Sequence, residues 1–79
     1  MEKTYADKLR EEWLNVEADL ELGKSIKKYQ PMIRNRMKEL FDLGYFAQTV
    51  IGNEELSTTL ADLLVRYIYL DSTIEDEQK

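Results

Sequence analysis

The sequence predicts an all-α protein, a small bundle of three main helices at about 4–29, 31–43 and 53–70 with an apolar connection at 44–52. Three observations carry that prediction. Apolar residues recur at helical spacing through most of the 79 residues. Gly (three) and Pro (one) are too scarce for the turns that an all-β chain needs. Charged residues reach 34% of the chain, above the usual quarter, as expected of long amphipathic helices with solvated outer faces. A chain of this length makes one domain, read here as residues 1–71, followed by an acidic, flexible tail at 72–79.

The first helix opens at Thr4, with Asp7 three residues later in capping-box spacing. Tyr5, Leu9, Trp13, Val16 and Leu20 form its inward stripe. A heptad frame also fits, with Ala6, Trp13 and Leu20 at one seam position and Leu9 and Val16 at the other, but for only about two heptads. Ordinary packing against another helix is the better account. After Gly23 the stripe changes phase, because Leu22, Ile26 and Tyr29 project well away from it. Gly23 is a natural C-terminal cap, yet the stronger stop lies at Gln30, which Pro31 steers out of the α region. The first helix is therefore expected to run on to about residue 29.

Pro31 suits the first turn of a second helix. That helix places Ile33, Met37, Leu40 and Phe41 inward and ends at Gly44. A single helix kinked at Pro31 is the alternative, since one coherent stripe joins Leu22 to Leu40. The connection YFAQTVI is strongly apolar. It is expected to act as a plug in which Tyr45, Phe46, Val50 and Ile51 cover the open end of the bundle; if uncovered, it becomes an aromatic docking loop.

Asn53 caps the third helix, and Glu54 and Glu55 complement its dipole. Leu56, Leu60, Leu63, Leu64, Tyr67 and Ile68 make its inward stripe, while Val65 and Tyr69 lie on the far side. A helix in a three-helix monomer needs one apolar face. A second face implies burial on two sides, by a long wrap-around connection or by a second chain; on the latter reading Tyr45, Phe46, Val65 and Tyr69 are the candidate apolar contacts between chains.

Net charge is −5, and its distribution is uneven. Residues 1–23 carry −4, residues 24–38 carry +6 with no acid, and residues 39–79 carry −7. The basic island comprises Lys24, Lys27, Lys28, Arg34, Arg36 and Lys38. Its simplest role is complementarity to acidic neighbours within the fold or in a second subunit. The alternative is a nucleic-acid surface. The glycine-bounded turn between the second and third helices loosely outlines a helix-turn-helix. However, the end that should meet DNA carries Glu54 and Glu55, which phosphates repel.

Chemistry is narrowed by what is missing. There is no His and no Cys, which removes the common bases, nucleophile pairs and thiolate ligands. No phosphate loop, EF-hand or Glu-x-x-His pair occurs. Carboxylates at helical spacing, such as Glu39/Asp42 and Glu17/Glu21, read as solvated faces. No catalytic, cofactor-binding or metal-binding residue is assigned. Without a cysteine or an apolar leader, the chain is expected to be cytoplasmic.

The functional expectation is a non-enzymatic, acidic, helical protein-interaction module that associates with itself as a homodimer or higher oligomer. Its size and charge also suit a phage- or plasmid-type adaptor or inhibitor of a host protein. The alternative is a nucleic-acid-binding accessory protein using residues 24–38.

Overall fold

The computed structural model describes residues 4–77, and all of its regular structure is helical: α1 (Tyr5–Glu21), a short 3-10 turn (Lys27–Tyr29), α2 (Gln30–Phe46), a π-helical turn (Ala47–Ile51) and α3 (Glu54–Glu77). The helices run up, down and up. The fold class is the one the spacing predicts, and several boundaries move.

α1 starts as its sequence dictates. The Asp7 amide donates to Thr4 Oγ1 at 3.2 Å, and the Thr4 amide donates to Asp7 Oδ2 at 3.3 Å, closing the capping box. It ends at Glu21 rather than near residue 29. Gly23 takes φ +77°, a left-handed conformation open to a residue without Cβ. The Gly23 amide then reaches the Leu20 carbonyl and the Lys24 amide the Asp19 carbonyl, at 3.0 and 2.9 Å. This Schellman closure satisfies carbonyls that a continued helix would have used.

The early stop explains the phase change in the stripe. Ile26, freed from α1, turns fully into the core, whereas Leu22 is 71% exposed. Tyr29 returns to α1, its hydroxyl donating to Asp19 Oδ2 at 2.6 Å. Gln30 is itself α-helical (φ −54°, ψ −46°) despite the following proline. The steric bias against that conformation is modest, and here the 3-10 turn leads directly into α2. The single kinked helix from residue 22 does not form.

Gly44 does not end α2. It sits inside the helix, where its carbonyl accepts from Ser57 Oγ at 3.2 Å and a Cβ would lie 3.9 Å from that of Leu60. The chain instead widens into a π-helical turn and stops at Gly52, whose φ is +73°. The Asn53 amide closes this end on the Ala47 carbonyl at 2.8 Å. Asn53 Oδ1 accepts from the Leu56 amide at 3.0 Å, the predicted cap of α3.

α3 continues past Leu70 to Glu77, so the acidic stretch at 72–77 is helical. Ile74 anchors it and is fully buried. Glu77 closes the corner by accepting from Ser25 Oγ at 3.1 Å and from the Ile26 amide at 3.4 Å. Gln78 and Lys79, the last two residues of the expected tail, lie outside the described residues.

The core stripe of α3 is Leu60, Leu63, Tyr67, Leu70 and Ile74, a 3-4-3-4 spacing. α2 and the π turn that follows it contribute Ile33, Leu40 and Ala47 at intervals of seven, and α1 contributes Leu9 and Val16. This alternation is that of helices packed nearly antiparallel or parallel. α3 packs more extensively on α2 than on α1. Tyr5, Phe41, Leu56 and Ile68, which the spacing points inward, are instead 38%, 64%, 41% and 46% exposed. The molecule measures 40 × 32 × 16 Å, and a body that thin leaves each helix one face toward solvent.

Candidate interaction surface

Polar residues first fix which faces remain free. Arg36 sits between α1 and α2, its Nε and Nη2 donating to the Glu12 carboxylate at 3.0 and 3.1 Å and its Nη1 to Glu39 at 2.8 Å. The fully buried Tyr67 joins this cluster from α3. Its hydroxyl lies 3.1 Å from the Leu9 carbonyl oxygen and 3.2 Å from Glu12 Oε2. Glu39 also faces the Tyr5 hydroxyl. The Arg36 bond, followed by that from Tyr5, holds the Glu39 carboxyl below its ordinary range. Burial, reinforced by Glu39, raises the Tyr5 phenol to about 12. Burial and the Glu12 charge raise Tyr67 as well. The cluster thus favours the ionised Glu39 carboxylate and the protonated Tyr5 and Tyr67 phenols, and it clamps three helices together.

The basic island divides along the same lines. Arg34 bonds Asp71 at 3.2 Å and also pairs with Glu75, tying α2 to α3. Lys28 lies 3.7 Å from Asp19 and 5.1 Å above the Tyr29 ring. Together with Arg36, three of the six island cations are thus neutralised within the fold. Lys24, Lys27 and Lys38 are exposed and make no ion pair among the described residues. They do not form one face, because the segment from 24 to 26 is not helical.

The apolar candidates fall on different surfaces. Val65 and Tyr69 lie on the outside of α3, 64% and 57% exposed, beside Glu17, Asp62 and Arg66. Arg66 covers the Trp13 ring at 4.7 Å; the Trp13 indole N–H beneath is buried and has no hydrogen-bond acceptor. Tyr45 and Phe46 belong to the other end of the molecule. The connection does not plug that end: Tyr45, Phe46, Val50 and Ile51 are all exposed, because the π turn directs only Ala47 into the core.

Two apolar surfaces result. At the end of the bundle, Tyr5, Leu43, Phe46, Ile51, Leu56 and Leu60 surround a depression of about 440 Å³ with no charged side chain in its wall. Along the α2/α3 flank, Phe41 and Tyr45 stand over a groove of about 280 Å³ floored by Gly44, Ser57, Ala61 and Leu64. Among the described residues, thirteen large apolar side chains are exposed against eleven buried apolar residues. Isolated exposed apolar residues are normal, but contiguous ones mark contact surfaces.

Sequence reasoning found Tyr45 and Phe46 but missed Tyr5, Leu43 and Leu56 at the end, and Phe41, Ala61 and Ile68 on the flank. Leu43 and Ala61 carry no sequence signal of their own, and the others sit at spacings that equally suit a core. Among the described residues no group of three acidic side chains is placed to hold a metal ion, and no helix is long and apolar enough to cross a membrane. The chain matches no protein-family model, no curated protein and no solved structure.

Proposed function

We propose that this chain is a non-enzymatic protein-interaction module that associates with itself and uses its apolar end to hold a protein partner, in the manner of an adaptor or inhibitor. One observation carries the reading: the depression bounded by Tyr5, Leu43, Phe46, Ile51 and Leu56 is walled by apolar groups alone. Leaving such a surface in water costs about 25 cal/mol per Å² relative to burying it. A partner presenting apolar side chains of its own would recover that energy.

The nucleic-acid reading has weaker support. Arg34, Arg36 and Lys28 are engaged with carboxylates, so the island offers Lys24, Lys27 and Lys38 against a net charge of −5. Phosphate binding draws its strength from the number of cations brought together.

The test is affinity capture from native host lysate, with and without nuclease, using wild-type chain and a Phe46→Glu/Ile51→Glu variant as bait. Both residues are exposed, so the variant is expected to retain its helices, which circular dichroism checks. The reading expects a protein recovered in stoichiometric amount by the wild type, unaffected by nuclease and lost with the variant. Equal recovery by both baits contradicts the role of the apolar end. A catch abolished by nuclease transfers the function to the basic island.

A further inference from the structure

We infer that the α2/α3 flank is the surface on which a second copy of this chain docks, in a two-fold arrangement that reverses the helices. The inference rests on the self-association part of the reading above and identifies where that association occurs.

The flank is built from two adjoining stripes. Lys38, Phe41, Tyr45 and Gln48 follow one another at helical spacing along α2 and its π turn, all exposed. On α3, Glu54, Ala61 and Ile68 stand seven residues apart and are also exposed, so they share a face. The stripes adjoin because the Phe41 and Tyr45 rings line the same groove as Ala61 and Leu64. The Arg34 pair to Asp71 bounds the flank at one end, and the Ser57 bond to Gly44 holds the two helices together beneath the groove.

Three properties favour a second copy as the occupant. The first is shape: one patch carries both projections (the exposed Phe41 and Tyr45 rings) and a recess made by Gly44, Ser57 and Ala61. A two-fold interface requires such self-complementarity, because each copy meets the same patch on the other. The second is charge. Because α2 and α3 run antiparallel, Lys38 stands toward one end of the apolar strip and Glu54 at the opposite end. Neither makes an ion pair among the described residues. Reversing a second copy brings its Lys38 toward the first chain's Glu54, and the reciprocal pair forms at the other end. The third is area. The exposed parts of Phe41, Tyr45 and Ile68 amount to roughly 350 Å² of apolar surface, to which the accessible parts of Ala61 and Leu64 add. One side of a standard interface is about 800 Å², somewhat over half of it apolar. With a polar rim, the strip has the apolar content that a stable dimer needs.

The test is a charge-swap series on the full chain, read as the dimer dissociation constant by sedimentation equilibrium. Lys38→Glu and Glu54→Lys each place like charges together twice per dimer, and each is expected to weaken association about tenfold. The Lys38→Glu/Glu54→Lys double variant should return to within about twofold of wild type, as exchanging both partners restores both pairs. Ala61→Glu, at an exposed helical position over the recess, should abolish association while circular dichroism reports unchanged helix. A wild-type dimer that tolerates Ala61→Glu and all three charge variants would overturn the assignment to this flank while leaving self-association standing. A wild type that is monomeric at every concentration would overturn both.

Discussion

Ile74 decides whether the last two turns of α3 belong to the folded domain. Its side chain is fully buried although it stands among Asp71, Glu75, Asp76 and Glu77. In Ile74→Ala, three carbon atoms leave a buried site. At about 0.8 kcal/mol per buried methylene the transfer loss is roughly 2.5 kcal/mol. The cavity left behind brings the total to about 3–4 kcal/mol, within the range of large-to-small core substitutions. Against a total stability of roughly 4–12 kcal/mol for a domain of this length, that is a large share. The melting temperature should fall by roughly 12–30 °C, since 1 kcal/mol moves a domain of this size by about 4–8 °C. The assay is urea unfolding followed by circular dichroism, at concentrations low enough to hold the chain monomeric. Asp76→Ala, at an exposed neighbouring position, serves as the control and should stay within about 0.5 kcal/mol of wild type. An Ile74→Ala variant as stable as that control would refute the reasoning, because residues 72–77 would then contribute nothing to the core.

Other expectations follow from the same contacts. Gly44→Ala should stabilise the monomer by about 1 kcal/mol in urea melts, because the position is helical and the added Cβ meets Leu60 at an ordinary 3.9 Å. Arg36→Met leaves Glu12 and Glu39 facing each other and should cost about 1–2 kcal/mol, as the site is only partly shielded from water. In the same variant, carbon-detected NMR should show the Glu39 carboxyl titrating closer to its ordinary 4.5. Stability should also depend on pH at both extremes. Glu39, Asp7 and Asp19 are held below their ordinary 4.5 and 3.8 by hydrogen bonds from Arg36, Thr4 and Tyr29 respectively. Their contribution is full above those values and is lost as pH falls below them through the lowered pKa of each carboxyl in the folded state. Tyr5 and Tyr67 are raised above 10.0 chiefly by burial, so their contribution is full below pH 10 and declines as pH rises, for Tyr5 through about 12. Unfolding monitored across pH should show a plateau between these limits.

Signals confined to a few neighbouring residues were legible in the sequence. The Thr4–Asp7 capping box and the Asn53 cap are complete within four residues, and both form as read. Competing signals were not. Gly23 and Pro31 both announce a helix end, and Gly23 wins because Ile26 reaches the core only if the chain turns there. Gly44 resembles a terminator, but its place beside Leu60 and Ser57 is set by α3, which local sequence does not see. The acidic run after Leu70 looks like a solvated tail until Arg34 is brought against Asp71 and Glu75 from thirty-seven and forty-one residues away.

The candidate surfaces were legible only in part, for a related reason. Phe41, Leu56 and Ile68 have spacings compatible with burial, and whether they are buried depends on how many neighbours surround each helix. With three helices in so thin a body there is no fourth element to cover the flank. The basic island was more transparent. An acid-free run of six cations in an acidic chain implies neighbours of opposite charge, and Arg34, Arg36 and Lys28 find them within the fold.

The most direct test of the account is sedimentation equilibrium of the wild-type chain from micromolar to millimolar concentration at physiological salt. The exposed apolar flank predicts a reversible shift from the 9.4 kDa monomer toward twice that mass as concentration rises. A mass fixed at 9.4 kDa across the whole range would contradict it.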